Sequence, residues 1–419
     1  MAAEAAGPGR LPLKGIRVLD CSQILAGPMC SRLLGDMGAD VIKVERPDGG
    51  DDLRASTFEG YGGEAPQFLA MNRNKRSVAL DIRTPEGREL FRRLAEASDV
   101  LIENFRPGTM DRLGLGYEEL HRLNPRLVFC SISGFGQTGP YRDRGGFDLV
   151  AQGMSGLMSV TGIPDGPPVK VGVPIADLNS GMFGCYGILC ALIGRDTTGE
   201  GQHVDISLLE AGIAYTVWES AFYWATGAVS KPLGSAHRNR APYEAFATAD
   251  GQMTVGVGNE KTWGAFCEAI ERRDLFADPR FAKNGARVRN RNELRAELEP
   301  VMRTRTTAEW IERMNATGCP GGPIYDMEQV YKDEHVLARQ MLVEVDHPRA
   351  GRVKDIGIPV KLSATPGGIH RPAPVLGQHT EEVLTLLLGL PAEEVARLRD
   401  LGVIALAEEI APAVAGDDG

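Results

Sequence analysis

The strongest constraint on the fold lies in the first 133 residues, where short apolar runs alternate with amphipathic helical stretches. Ile16-Arg-Val-Leu-Asp20 reads as a strand, Gly27-Pro28 as a turn, Met29 to Met37 as a helical stretch and Asp40-Val-Ile-Lys-Val-Glu45 as a second strand, which together make a βαβ unit. Thr84 stands where it can cap a helix that opens at Pro85 and carries Leu90, Phe91 and Leu94 on one face; the strand Asp99-Val-Leu-Ile-Glu103 follows. Tyr117 to Leu123 is then helical, and Leu127 to Ser133 is a further strand. Such alternation predicts a mostly parallel sheet with helices on both faces, its ligands sitting beyond the carboxyl ends of the strands.

Further along, His203 to Leu208 reads as a strand behind the turn Thr198-Gly-Glu-Gly201, and Leu209 to Thr226 as one long apolar helix with Trp218, Phe222, Tyr223 and Trp224. From about Lys231 to Gly321 the pattern changes to strands near Tyr243 to Thr248 and Met253 to Val257, then helices around Trp263, Asn292 and Trp310. This predicts a smaller α+β domain. A last segment, with strands near Leu342 and Val360 and a helix from Thr380 to Leu388, would most simply rejoin the first sheet. The ends, through about Pro12 and from Ala411, are expected to fray.

A chain of 419 residues with 43% hydrophobic and 24% charged residues has room for two or three domains and the composition of a globular enzyme. Its net charge of -10 does not invite nucleic acid or anionic membrane, so a phosphate ligand must be held by a local basic cluster. The seven cysteines form no CxxC pair and mostly have apolar neighbours, the habit of reduced core thiols. The opening MAAEAAGPGR is not a signal peptide, and no apolar run approaches the roughly twenty residues of a membrane span. A cytoplasmic location is expected.

Gly134-Phe-Gly136-Gln-Thr-Gly139 satisfies G-x-G-x-x-G behind the apolar run Leu127 to Ile132. A dinucleotide fingerprint also needs a helix at the third glycine and an acidic residue about twenty positions on. Here Pro140 to Gly146 has a loop composition, and Gln152 to Val160 holds no carboxylate, so the pattern is read as a turn or a close backbone approach. There is no GxSxG elbow, no Walker lysine and no HExxH, which leaves serine-triad and zinc hydrolysis unsupported. Two positive features remain. Asn72-Arg73-Asn74-Lys75-Arg76, with Asn104-Phe105-Arg106-Pro107-Gly108 and Arg112, gathers basic residues around an aromatic ring on successive sheet connections, either a site for a nucleotide with several phosphates or a solvated basic surface. Asp177 stands at an N-cap position ahead of Gly181, Gly184 and Gly187, which recur on one helical face; each glycine costs about 1 kcal/mol against alanine, so something packs close to that backbone. The aspartate is either a plain cap or a carboxylate kept ionised by the helix dipole and available as a nucleophile.

From about Leu13 to Gly402 the chain resembles the family III CoA-transferases through LKGIRVLD, LAGP, LLGDMGADVIKVERP, NRNKRSVALD, ENFRPGTMDRLGLGYEEL, SISGFGQTGP, GVPIADLNSG, TGEGQHVDISLLEAG and APVLGQHTEEVL. The resemblance implies an α/β fold: a Rossmann-like large domain with a mostly parallel sheet, built from both ends of the chain, plus a smaller α+β domain, in an interlocked homodimer. The expected limits are 10–200 for the first, CoA-binding part of the large domain, 201–230 for a linker helix, 231–325 for the small domain and 326–415 for the return. By the same match Asp177 is the covalent nucleophile, and Arg46, Asn74, Lys75, Asn104, Phe105 and Arg112 line the CoA site, with the GFGQTGP loop beside it. No permanently bound cofactor is implied, the coenzyme A thioester being a substrate.

Passing CoA between two carboxylic acids needs a carboxylate that holds the acyl group and CoA in turn, with water kept out meanwhile. Relatives using formyl-CoA and oxalate carry a run of glycines in the middle domain. This chain instead has Gly234-Ser-Ala-His237-Arg238-Asn-Arg240, where His237, Arg238 and Arg240 either meet a second carboxylate, as in relatives acting on succinyl-CoA and dicarboxylic acids, or belong to a plain surface loop. The related α-methylacyl-CoA racemases place a histidine where Phe147 stands, and phenylalanine is no base, so transfer ranks above racemisation; with Asp177 in place it ranks above a non-catalytic CoA-binding role as well.

Overall fold

Runs of Val, Leu and Ile buried on both faces form the central sheet. Its strands are β1 (Arg17–Asp20), β2 (Asp40–Glu45), β3 (Lys75–Leu80), β4 (Val100–Glu103), β5 (Val128–Ser133) and β6 (His203–Ser207). After these come β7 (Tyr243–Ala247), β8 (Gln252–Gly256), β9 (Gly321–Pro323), β10 (Leu342–His347), β11 (Gly351–Ile356) and β12 (Ile404–Ala405). The computed structural model describes residues 11–56, 58 and 61–407; the ends expected to fray lie, but for Leu11 and Pro12, outside the described residues, as do the outer limits of the expected domains.

The seven-stranded sheet runs β12-β3-β2-β1-β4-β5-β6, parallel except for β12, which lies antiparallel to β3. Alternation along each strand divides its side chains between two layers. Leu19, Ile42, Leu101 and Phe129 face one side with Phe91 and Leu94 of the helix Pro85–Glu96, whose N-cap Thr84 accepts the Gly87 N–H. Val18, Val41, Val100 and Val128 face the other with Cys30 and Leu34 of the helix Ala26–Asp36 and Ile188 of the helix Ile175–Thr198. Because β1 pairs with β2 on one side and β4 on the other, strand order reverses beside β1 and opens a crevice past the ends of β1 and β4.

Several expectations are corrected. Gly27 and Pro28 belong to the first turn of their helix, where a missing N–H costs nothing. The stretch from 209 to 226 is two helices, Leu208–Ala214 and Val217–Thr226, broken beside Thr216, whose hydroxyl bonds the Ile213 carbonyl at 2.8 Å. In the last segment β10 pairs only with β11, in a separate hairpin; Val360, behind Pro359, is in no strand, and the return to the large sheet is made by Ile404–Ala405. The helix Ile175–Thr198, 24 residues long and with a mean hydropathy of 1.3 over an 18-residue stretch, is long and apolar enough to cross a membrane, which a search for unbroken apolar runs overlooks because Asp177, Asn179 and Ser180 interrupt it. It buries Ser180, Gly184 and Ile188 in the core of the sheet's helical layer.

The described chain divides into two compact units. One runs to Leu157, resumes over Val171–Ser220 and again from His335; the other takes Met158–Lys170 and Ala221–Glu334, so the boundary falls within the helix Val217–Thr226. The second unit joins β7, β8 and β9 in an antiparallel sheet over a core containing Trp263, Phe266, Trp310 and Met314. All seven cysteines are free thiols.

The glycines of the helix Ile175–Thr198 have different tasks. A Cβ at Gly181 would stand 2.6 Å from the Ala26 carbonyl oxygen, whereas one at Gly194 would meet nothing nearer than the Gln202 amide at 3.8 Å. Gly181→Ala should therefore destabilise the protein by about 1–3 kcal/mol, and Gly194→Ala should stabilise it by up to about 1 kcal/mol. Urea denaturation of the two variants beside the parent reads both signs.

Candidate active site

A cavity of about 390 Å³ opens at the reversal of strand order, lined by the segments that follow β1 and β4, by Gly134 at the end of β5, by Arg144 to Phe147, and by Asp177. All of its lining residues belong to the first unit. Its wall after β1 is held in an unfavourable conformation: Ile24, a β-branched residue, has φ of 67°, in the left-handed region, at a cost on the order of 1–3 kcal/mol. Three hydrogen bonds enforce it. Asn104 accepts the Gln23 N–H and donates to the Gln23 carbonyl, both at 2.8 Å, and Asp51 accepts the Ile24 N–H at 2.9 Å. Asp51 is itself paired with the buried Lys43 at 2.9 Å, and Lys43 bonds the Ser22 carbonyl.

Asp177 is the third residue of its helix and caps nothing, so neither the N-cap position nor the capping role read from sequence holds. The capping is done by Asp148: one carboxylate oxygen accepts the Ala176 N–H at 2.8 Å and the Asp177 N–H at 3.4 Å, while the other accepts from the buried Gln152 at 2.7 Å. Gln152 in turn accepts the Val171 N–H at 2.8 Å. The Asp177 carboxylate has no hydrogen-bond partner among the described residues and faces the cavity. Burial, with the negative charge of Asp148, pushes its pKa from the ordinary 3.8 up to about 7, which corrects the expectation that the helix dipole keeps it fully ionised. At neutral pH the group is thus divided between its acid and carboxylate forms.

The remaining candidates divide sharply. Asn104 and Phe105 line the cavity with Asp177. Phe105 is anchored by its N–H, which donates at 2.7 Å to Glu103, a carboxyl raised by burial to about 7. Arg46 is exposed and paired with Asp52 at 2.6 Å, beside the cavity wall that Asp52 supplies. Arg112 is on the surface, bonded to Thr109 at 2.9 Å. Asn74 and Lys75 are buried in structural roles: Asn74 bridges Asp36, the Gly368 carbonyl and the His370 N–H, and Lys75 binds Asp20, Asn72 and the Pro28 carbonyl. The basic run from Asn72 to Arg76 is therefore neither a bare phosphate cluster nor a solvated surface, since Arg73 pairs with Asp36 and Asp355, and Arg76 with Asp40 and Glu382. In the second unit, the carbonyls of His237, Arg238 and Arg240 all accept from Arg291, and Arg238 bonds the Lys231 carbonyl at 3.0 Å.

Sequence reading missed Asp51, Asp148 and Arg144. Asp148 was visible only as the neighbour of Phe147; that it meets the turn of Asp177, 29 residues on, is a tertiary fact. The glycine-rich loop is explained too. A Cβ on Gly134 would stand 2.6 Å from the Gly146 Cα, so two backbones touch at the cavity rim, and Gly136 and Gly139 adopt positive φ.

A doubly wound sheet with a partly buried, unpartnered carboxylate at its switch point defines a protein that works on a ligand bound across strand ends. The model for CoA-transferase family III matches residues 13–380, and the chain belongs to that family; it is a family III acyl-CoA:carboxylate CoA-transferase. It is 42% identical over 387 residues to a succinate–glutarate CoA-transferase of Agrobacterium fabrum, covering 90% of this chain and 96% of that one. It is 40% identical to a succinyl-CoA–D-citramalate CoA-transferase of Chloroflexus aurantiacus, covering 94% of this chain and 98% of the relative. The crystal structure of a CAIB/BAIF family protein from Brucella suis superimposes with a TM-score of 0.81 at 39% identity, covering 90% of this chain and all of that one.

A carboxyl titrating near 7 makes its own chemistry pH-dependent. Acylation of the enzyme by an acyl-CoA should rise with pH about a midpoint near 7, and Asp148→Asn, which keeps an acceptor for the two N–H groups but removes the like charge, should lower that midpoint. An unmoved midpoint in rapid-quench acylation would show that the charge of Asp148 does not act on Asp177. Linkage adds a second expectation. An aspartate whose folded pKa is raised contributes stability below its unfolded pKa near 4 and loses it as pH rises through 7, so Asp177→Asn should raise Tm more at pH 8 than at pH 4.

Proposed function

We propose that the protein moves CoA from succinyl-CoA to a dicarboxylic acid through covalent intermediates on Asp177. The observation that carries this reading is the Asp177 carboxylate, on the first turn of a helix, facing the cavity without a hydrogen-bond partner among the described residues. Relatives named for succinyl-CoA with glutarate and with D-citramalate support the substrate class.

A carboxylate oxygen of Asp177 attacks the thioester carbon, forming a mixed anhydride and releasing the CoA thiolate. The thiolate attacks the aspartyl carbonyl, giving an aspartyl-CoA thioester and free succinate. The acceptor carboxylate then attacks this thioester, making a second anhydride and again releasing thiolate, which finally attacks the acceptor's carbonyl and regenerates Asp177. No water is consumed, so its exclusion from the cavity decides whether transfer or hydrolysis occurs. Asn104 and Phe105 are assigned to CoA, with Arg46 and Arg112 at its outer reach, while Asn74 and Lys75 shape the wall behind it. The assembly proposed is the interlocked homodimer, for which the exposed Met182, Tyr186 and Ile193 of the helix Ile175–Thr198 offer apolar surface. Racemisation is disfavoured because Phe147, which lines the cavity, cannot carry a proton.

Incubation with succinyl-CoA followed by hydroxylamine should mark Asp177 as a hydroxamate, read by peptide mass. Asp177→Asn, verified not to deamidate, should lower transfer at least about a thousandfold. Normal exchange in that variant would end the proposal.

A further inference from the structure

The cavity that holds Asp177 also carries two guanidinium groups, those of Arg106 and Arg144, and neither has an ion-pair or hydrogen-bond partner among the described residues. This sets them apart from the other cations near the strand ends. Arg46, Arg54, Arg73, Lys75 and Arg76 are each matched to a carboxylate. In a chain of net charge -10, two unmatched cations on the wall of one cavity are a site for an anion.

The two arginines are held differently. Arg106 follows Asn104 and Phe105 on the connection after β4, the stretch assigned above to CoA. Arg144 lies with its guanidinium 4.5 Å from the centre of the Tyr141 ring and 5.2 Å from that of Phe135, and these two rings meet edge to face at 5.7 Å. Aromatic packing of this kind fixes the plane of the guanidinium while leaving its N–H groups unsatisfied, the state in which an arginine grips a carboxylate with two parallel hydrogen bonds. Its backbone is fixed as well. Two residues on, Gly146 is pressed against Gly134, and four residues on, Asp148 holds the N–H groups of Ala176 and Asp177. Arg144 is thus tied to the nucleophile through a short and rigid stretch of chain.

We infer that Arg144 is a specificity-determining residue, binding the carboxylate of the dicarboxylic acyl group that is remote from the carbon attacked by Asp177. The inference rests on the dicarboxylate reading proposed above. It places recognition of the second carboxylate on the cavity wall itself, where the sequence suggested His237, Arg238 and Arg240.

The test compares succinyl-CoA with butyryl-CoA, a donor of equal chain length that lacks the second carboxylate, in the parent, Arg144→Gln, Arg144→Lys and Arg106→Gln. In Arg144→Gln the ratio of kcat/KM for succinyl-CoA over butyryl-CoA should fall at least about thirtyfold, mostly through the KM of succinyl-CoA. Arg144→Lys, which keeps the charge but not the two-pronged geometry, should restore part of the ratio. Arg106→Gln should weaken both donors alike and leave the ratio in place. A ratio unchanged in Arg144→Gln overturns the assignment, and an equal loss for both donors would give Arg144 to CoA instead. A parent enzyme indifferent between the two donors would sink the dicarboxylate reading itself, which separates that failure from a failure of Arg144.

Discussion

The structure of the site depends on one buried charge cluster. Asp20 at the end of β1 and Lys75 at the start of β3 are both fully buried and 3.1 Å apart, and Lys43 pairs beside them with Asp51. Burial alone would raise the Asp20 pKa, but Lys75 and Lys43, with the hydroxyls of Ser22 and Ser31, more than reverse this and hold it at about 2. Such a cluster adds little net stability compared with an apolar core, yet removing one partner strands the other at a cost of about 3–5 kcal/mol. What it secures here is geometry. Ser22 and Ser31 bind Asp20, and Lys43 binds the Ser22 carbonyl, so the chain leaving β1 has a single path into the cavity wall.

From that path the rest of the wall follows. The residues after Ser22 are forced through a left-handed Ile24, and Asp51 and Asn104 supply the bonds that make the strained turn the favoured one. On the opposite side, Asp148 fastens the helix of Asp177, and the Gly134–Gly146 contact brings its loop down to the end of β5. The cavity is therefore a meeting of rigid parts, the condition under which a carboxylate and a thioester are presented to each other without paying for reorganisation during the reaction.

Electrostatics divides the labour. The cations of the basic run are consumed in ion pairs that fasten the C-terminal segment to the sheet: Arg73 to Asp355, and Arg76 to Glu382. Charge in the cavity is left uncompensated on two arginines and on one carboxyl that titrates near neutrality. A basic run in a sequence does not say which of its members will be spent on the fold. That depends on carboxylates elsewhere in the chain, and here Asp36 and Asp40 decide it together with the far more distant Asp355 and Glu382.

The sequence by itself determined the alternating strands and helices, the parallel sheet and the cap at Thr84, and it singled out Asp177 and Asn104, which the fold brings to the wall of one cavity, because hydrophobic period, capping chemistry and motif are local properties of the chain. The close packing behind Gly181 and Gly184 was legible for the same reason, as glycines in a helix need a neighbour to account for them. Only the tertiary structure decided that Lys75 and Asn74 are buried supports, that the last strand is Ile404–Ala405, and that Asp148 rather than Asp177 caps the helix. These depend on which distant groups the fold brings within about 3 Å of each other, and neither spacing nor composition encodes that distance.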